Sequence, residues 1–220
     1  MKNLRQHIHR SSRSNMYSKS KCSNWAAYDP YFGEISQIRD DQEPTAEIVL
    51  SEEVKIKVLE RPLHESFLRP YTIRDIEETL ASVPLKFLVR LSRILLLGGT
   101  KKQEHTGWDN FYFGRYHRSW HYRNAIIALH AFPRKMMRFA CRGSPHWIQE
   151  YIRAGVVCRQ DGNHTIIEFN EQTLKTFYLR DVLIHEIGHH VDCLRRGYLG
   201  DLTEEFANWF AGEYGYRYQH

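Results

Sequence analysis

The chain has 220 residues, of which 42% are hydrophobic and 26% charged, so it can bury a core and is expected to form one domain with appendages. No segment approaches the roughly 20 consecutive apolar residues of a membrane-spanning helix, and no apolar run typical of a signal peptide is present. We therefore expect a cytoplasmic protein without membrane association. Four scattered cysteines argue against a zinc ribbon or a disulfide scaffold and are predicted to be free thiols: Cys22, Cys141, Cys158 and Cys193.

The net charge of +5 is concentrated at the start of the chain. Residues 1–28 carry six basic residues and no acid, which leaves −1 for the rest of the chain. We interpret residues 1–28 as a basic, flexible tail, with a nucleic-acid-binding arm or a transit-like peptide as alternatives. Residues 29–70 are an N-terminal segment to which the sequence assigns no role, and residues 71–220 form the remaining domain.

The predicted elements begin with a strand at 53–60, EVKIKVLE, whose apolar residues alternate with charged ones. This strand is expected at the surface. Apolar residues at helical spacing then predict a helix. It is expected to begin after Thr72, a candidate N-cap, and to end near Pro84. Residues 88–99, LVRLSRILLLGG, are expected to lead from a short helix end into a buried strand.

The middle of the chain predicts strands and short helices in turn. Strands are predicted at 111–117, FYFGRYH, and 124–132, NAIIALHAF, both rich in aromatic or β-branched residues. Two helices are predicted at 133–143, PRKMMRFACRG, and 144–155, SPHWIQEYIRAG, separated by a Gly-Ser-Pro break. A further strand is predicted at 164–169.

Residues 173–196, TLKTFYLRDVLIHEIGHHVDCLRR, place apolar residues at spacings of three and four and predict one helix. This helix contains the motif HExxH, in which two histidines four residues apart project from one face. His185 and His189 are therefore candidate zinc ligands. Glu186 lies beside the first of them, where it can reach a water molecule without binding the metal, so it is the candidate general base. Gly188 leaves room for close approach of another backbone.

A catalytic zinc ion needs three protein ligands and an open position for water, and the next predicted helix, LTEEFANWFAGEYGY, begins with two acids. We favour Glu204 over Glu205, because Asn208 lies four residues after Glu204 on the same face and can support a ligand histidine. Either acid could instead serve only to stabilise the helix start. His190 and Asp192 point elsewhere and are expected to be solvated or to support the ligands. The buried stripe of this helix is predicted to comprise Phe206, Trp209 and Phe210.

HEIGHHVD followed by EEFANWFA resembles the gluzincin pattern, which thermolysin-like enzymes share in outline. The likeness is closer to the catalytic domains of the anthrax lethal factor and Pro-Pro endopeptidase group, in HExGHxxD and ExFAxxF, and it covers residues 181–211. The resemblance implies an α+β, zincin-like domain over residues 71–220, with two lobes: a small mixed sheet with the active-site helix, then a helical lobe. It also implies that Tyr198 polarises the scissile carbonyl, and that residues 164–170 form an edge strand for an extended peptide.

Residues and resemblance together predict a zinc-dependent endopeptidase whose substrate is a protein or peptide. The metal ligands are His185, His189 and Glu204, and hydrolysis uses a zinc-activated water with Glu186 as general base. The alternative is a non-enzymatic regulatory or binding module on the same fold, its zinc structural or absent. In either case residues 1–28 could make a nucleic-acid contact, and the sequence makes no prediction about oligomeric state.

Overall fold

The computed structural model describes residues 42–100, 112–118, 125–142, 148–196 and 203–217, all within one compact unit, Ile38–His220. These residues form an α+β domain with a five-stranded mixed sheet, a three-stranded antiparallel sheet and a two-stranded ladder. The predicted tail at 1–28 lies outside the described residues. In the described ranges, no helix has the length and apolar character needed to cross a membrane.

The strands are β1 (Ala46–Val49), β2 (Lys55–Glu60), β3 (Phe67–Leu68), β4 (Leu91–Leu96), β5 (Gly114–Arg118), β6 (Ala125–Leu129), β7 (Phe132–Pro133), β8 (Arg138–Arg142), β9 (Val157–Asp161) and β10 (His164–Glu168). The α-helices are α1 (Ile73–Ala81), α2 (Ile148–Arg153), α3 (Glu171–Thr176), α4 (Ile184–Arg196) and α5 (Glu204–Gly212). Short 3₁₀ turns occur at Leu85–Phe87 and Arg134–Met136, and π-helical segments at Phe177–Leu183 and Glu213–Arg217.

The five-stranded sheet has the order β1-β2-β4-β6-β5. Its three central strands are parallel, whereas β1 and β5 run antiparallel to their neighbours. The predicted strand at 53–60 is confirmed as β2, with Ile56 and Val58 fully buried. It was expected at the surface, but it is an internal strand of the sheet and exposes only one face. Lys57 of β2 pairs with Arg93 of β4, so the sheet crosses the boundary that the sequence suggests between residues 70 and 71.

Helix α1 confirms the prediction that a helix begins after Thr72. The Thr72 side chain accepts a hydrogen bond from the Asp75 backbone N–H, and the Asp75 carboxylate accepts one from the Thr72 N–H in return. The helix ends before Pro84, and Ile76 and Leu80 are its fully buried residues. An ion pair of 2.6 Å between Lys175 Nζ and Asp75 Oδ1 then joins α3 to the start of α1.

The prediction of a helix at 133–143 is wrong. The segment forms a 3₁₀ turn and then β8, in which Cys141 is buried while its neighbours Ala140 and Arg142 are exposed. This two-residue alternation suits a strand with one buried face, and pairing with β10 satisfies its backbone. The helix predicted at 144–155 is confirmed in part, as α2.

The strand predicted at 164–169 is confirmed as β10, but the expectation that it is an edge strand is wrong. The sheet order is β8-β10-β9, so β10 is the central strand. His164, for example, pairs with Arg142 on one side and with Asp161 on the other. Because both sides of β10 are already hydrogen-bonded, it cannot accept an additional peptide strand.

The helix predicted at 173–196 is confirmed as continuous helical structure from α3 to α4. A π-helical segment at Phe177–Leu183 lies between the two α-helices. Helix α4 packs against α5, β5 and β6. In α5, Ala207, Phe210 and Ala211 are buried, whereas Trp209 is 53% exposed, so its place in the predicted buried stripe is wrong. Of the cysteines, those within the described residues are free, as predicted: Cys141, Cys158 and Cys193.

Candidate metal centre

Two helices bring the predicted ligands together. His185 and His189 lie one turn apart on α4, with ring centroids 4.6 Å from each other. Glu204 is the first residue of α5, and its carboxylate faces both rings. The Nε2 atom of His185 lies 3.2 Å from Oε2 of Glu204, and the Nε2 atom of His189 lies 3.4 Å from Oε1.

The two separations, which involve different oxygens of Glu204, are similar to those between neighbouring ligands of a zinc ion. Zinc–nitrogen and zinc–oxygen bonds of about 2.0–2.2 Å at a tetrahedral angle place neighbouring ligand atoms about 3.4 Å apart. Two imidazoles and one carboxylate also form a donor set suited to catalytic zinc, because a fourth position stays open. Within the described ranges, this is the one group of at least three His, Cys, Asp or Glu residues close enough to hold a metal ion. The residues present therefore fit zinc.

The structure distinguishes the two acids at the start of α5. Glu204 reaches both histidines, whereas Glu205 does not belong to the group. The Asn208 side chain hydrogen-bonds His185, as the spacing of Asn208 from Glu204 leads us to expect. Asn208 thus fixes the orientation of the imidazole that Glu204 faces.

The three groups are electrostatically complementary. Hydrogen bonds from His185 and His189 hold the pKa of the Glu204 carboxyl well below its usual range. Burial alone would lower the pKa of His185, but the hydrogen bond with Glu204 and the nearby charge of Glu186 outweigh burial and raise it. An ionised carboxylate is thus available at the position where a cation would bind.

Glu186 is adjacent to the first histidine and is buried, with 7% of its surface exposed. Burial raises the pKa of its carboxyl, although the charges of His185 and His189 act in the opposite direction. Its side chain lies against β5, which forms one end of the five-stranded sheet. A carboxyl group whose pKa is raised in this way takes up a proton more readily than an exposed one, which suits it to proton exchange.

Asp192 and His190 are buried at 1% exposure each, which rules out the solvated position and leaves the supporting role of the two that we expected. Neither belongs to the candidate ligand group. Asp192 Oδ2 accepts hydrogen bonds from the backbone N–H of Thr203 at 3.1 Å and from its hydroxyl at 3.2 Å. Its other oxygen pairs with Arg196 Nε at 2.8 Å. Since Thr203 immediately precedes Glu204, Asp192 fixes the start of the helix that carries Glu204.

His190 joins α4 to β5. Its Nε2 lies 2.9 Å from the Val89 carbonyl oxygen, and its Nδ1 lies 3.3 Å from the Tyr116 hydroxyl. Burial lowers the pKa of His190 to about 4, so the ring is neutral at pH 7. Nε2 then donates to Val89, and Nδ1 accepts from Tyr116.

Gly188, the glycine of the motif, allows α4 and α5 to approach closely. A Cβ atom at this position would lie 2.8 Å from the Ala207 Cα and 3.1 Å from the Phe210 Cβ. The structure therefore confirms the close backbone approach expected at Gly188. Tyr198, expected to polarise the scissile carbonyl, lies outside the described residues.

Sequence reasoning missed the contribution of β5 to this site. The strand predicted at 111–117 is confirmed in part, as β5 begins at Gly114, but nothing in its pattern identified it as the neighbour of the motif helix. The available signal was Gly114 within an otherwise aromatic strand, because such a glycine often marks close approach of another group.

No protein-family model matches the chain, and no curated protein or solved structure is significantly similar to it.

Proposed function

We propose that the protein is a zinc-dependent endopeptidase of the gluzincin type, with a zincin-like fold. The observation that carries the proposal is the convergence of His185, His189 and Glu204, at nitrogen–oxygen separations of 3.2 and 3.4 Å, beside the buried carboxyl of Glu186. Three ligands, an open fourth position and an adjacent proton acceptor are the parts that metal-assisted hydrolysis of a peptide bond requires.

Each residue has a separate role in this reaction. His185, His189 and Glu204 hold the metal, and Asn208 orients His185. Zinc, when bound, lowers the pKa of a water molecule towards about 7 and polarises a substrate carbonyl. Glu186 accepts the proton of the attacking water and returns it to the leaving amine. The raised pKa of Glu186 supports this role, since the carboxyl must take up and release a proton in each cycle.

A protein or peptide substrate fits the sheet edge next to Glu186. Strand β5 is antiparallel to β6 and is the last strand on that side of the sheet in the part of the chain that the structure describes. An extended peptide can add to such an edge through backbone hydrogen bonds, which gives affinity with little dependence on its sequence. In our proposal β5 thus takes the role that the resemblance assigned to β10.

Metal content and hydrolysis together test the proposal. Purified wild-type protein should contain close to one zinc ion per chain, and His185→Ala should lose it. Glu186→Gln should retain the zinc ion but lose hydrolysis of a peptide library, because the ligands remain while the proton acceptor is gone. Glu205→Gln, a neighbouring acid outside the ligand group, serves as the control and should keep both.

Two outcomes would contradict this function. Wild-type turnover in Glu186→Gln would exclude Glu186 as general base. Zinc bound by the wild type without hydrolysis of any library peptide would favour a non-enzymatic binding module with a structural metal.

A further inference from the structure

Gly114 of β5 lies directly against the carboxyl group of Glu186. A Cβ atom at position 114 would lie 2.9 Å from both Cγ and Oε1 of Glu186, and 2.6 Å from Cγ1 of Val182. Cβ atoms in folded proteins essentially never come within 3.0 Å of another heavy atom, so any side chain at this position would displace Val182, the carboxyl group or the strand. The absence of a side chain at Gly114 is therefore what allows β5 and Glu186 to be in contact.

The backbone of β5 also binds Glu186. The His130 N–H donates to the Phe113 carbonyl at 2.9 Å, which orients the backbone groups of Phe113 towards β6. Because orientation alternates along an antiparallel strand, the N–H groups of Gly114 and Tyr116 point away from β6, towards the sheet edge. The Tyr116 N–H donates a hydrogen bond to the Glu186 carboxylate there.

We propose that β5 positions the general base: the Tyr116 N–H holds the Glu186 carboxylate, and Gly114 provides the space it occupies. This inference rests on the proposed function only in calling Glu186 a base. Gly114 and Tyr116 are positioning residues, since they act through Glu186. The Tyr116 N–H is then occupied by Glu186, so a peptide at this edge would pair through the other outward backbone groups of β5, such as the Gly114 N–H, next to the proton acceptor.

Hydrogen exchange of single amides, followed by NMR on the full chain, tests this positioning without metal or substrate. The Tyr116 amide should be protected in the wild type and should exchange about 10-fold faster in Glu186→Ala, because its acceptor is lost. The His117 amide points towards β6 and is the internal reference, which should not change. An unprotected Tyr116 amide in the wild type, or equal protection in Glu186→Ala, would overturn the proposal.

Kinetics of the zinc-loaded enzyme test the role of Gly114. Gly114→Ala should lower kcat about 100-fold with one zinc ion retained, because a displaced base leaves the metal ligands intact. Val182→Ala alone should keep kcat. The double variant Gly114→Ala/Val182→Ala relieves the contact with Val182 but not the one with Glu186, so it should remain slow.

The proposal fails if the double variant regains wild-type kcat, since the defect of Gly114→Ala would then come from Val182. It also fails if Gly114→Ala itself keeps wild-type kcat. Absence of hydrolysis by the wild-type protein would instead refute the proposed function, while the exchange experiment would still decide whether β5 holds Glu186.

Discussion

Glu204 and Glu205 are neighbouring acids of the same length, yet only Glu204 faces the two histidines. Glu204→Ala should reduce bound zinc far below one ion per chain, because two imidazoles alone hold the metal weakly. Glu205→Ala should retain a full ion and is the matched control. Both variants are measured by elemental analysis after dialysis against metal-free buffer. Full zinc in Glu204→Ala would move the third ligand elsewhere.

The sequence alone predicts those parts of the candidate metal centre whose residues are close together in the chain. The spacing of His185 and His189 on a strongly periodic helix is enough to place both on one face, and the position of Asn208 identifies Glu204. These are local relations within one helix turn. The contact of Gly114 with Glu186 joins residues 72 positions apart, and a strand pattern contains no information about which helix it will meet. That part of the site required the structure.

At the scale of elements, Asp192 connects α4 to α5 through its hydrogen bonds with Thr203. Asp192→Ala should weaken zinc affinity about 10- to 100-fold, because residues that orient metal ligands contribute to that extent. Zinc affinity is measured by competition with a chromophoric chelator. Asp161→Ala, which removes an exposed acid of β9, should leave the affinity unchanged. Unchanged affinity in Asp192→Ala would show that Glu204 is held without Asp192.

Asp75 connects α1 to α3 through Lys175. Burial alone would raise the pKa of Asp75, but hydrogen bonds from Lys175 and Thr72 outweigh it and lower the pKa below 3.8. Asp75→Asn should lower the free energy of unfolding by about 1 kcal/mol at pH 7. Because the folded-state pKa is depressed, this contribution is present above pH 3.8 and is lost as the pH falls further.

Urea denaturation of the wild type and Asp75→Asn at several pH values measures this difference. Glu78→Gln is the control, since its ion pair with Arg74 is exposed and should contribute less than about 0.5 kcal/mol. A difference between wild type and Asp75→Asn that stayed constant down to pH 3 would contradict the assigned role of the carboxylate.

Two errors of the sequence analysis belong to this scale. Residues 133–143 contain Pro133 and two methionines, which favour a helix start, but the backbone of β8 is satisfied by β10, and that pairing is non-local. The position of β10 within its sheet is non-local too. Alternation along a strand indicates a buried face, whereas an edge or central position depends on partners elsewhere in the chain. Elements were therefore predictable where their signals are local.

At the scale of the whole molecule, the close packing of α4 on α5 depends on Gly188. Gly188→Ala should lower the free energy of unfolding by about 1–3 kcal/mol, because the added methyl group collides with the backbone of Ala207. Gly212→Ala is a matched helical control in α5. Its Cβ would lie 3.1 Å from Nη1 of Arg153 and would meet no backbone atom, so Gly212→Ala should cost less than Gly188→Ala. Thermal unfolding of both variants in the metal-free state measures the effect, and equal Tm values would contradict it.

Direct contacts between α4 and α5 join the two helices at several places along their length. Gly188 packs on α5, Asp192 binds Thr203, and the two histidines face Glu204. Because these contacts join α4 directly to α5, we expect a chain cut between Arg196 and Thr203 to stay assembled as two fragments, one with His185 and His189 and the other with Glu204.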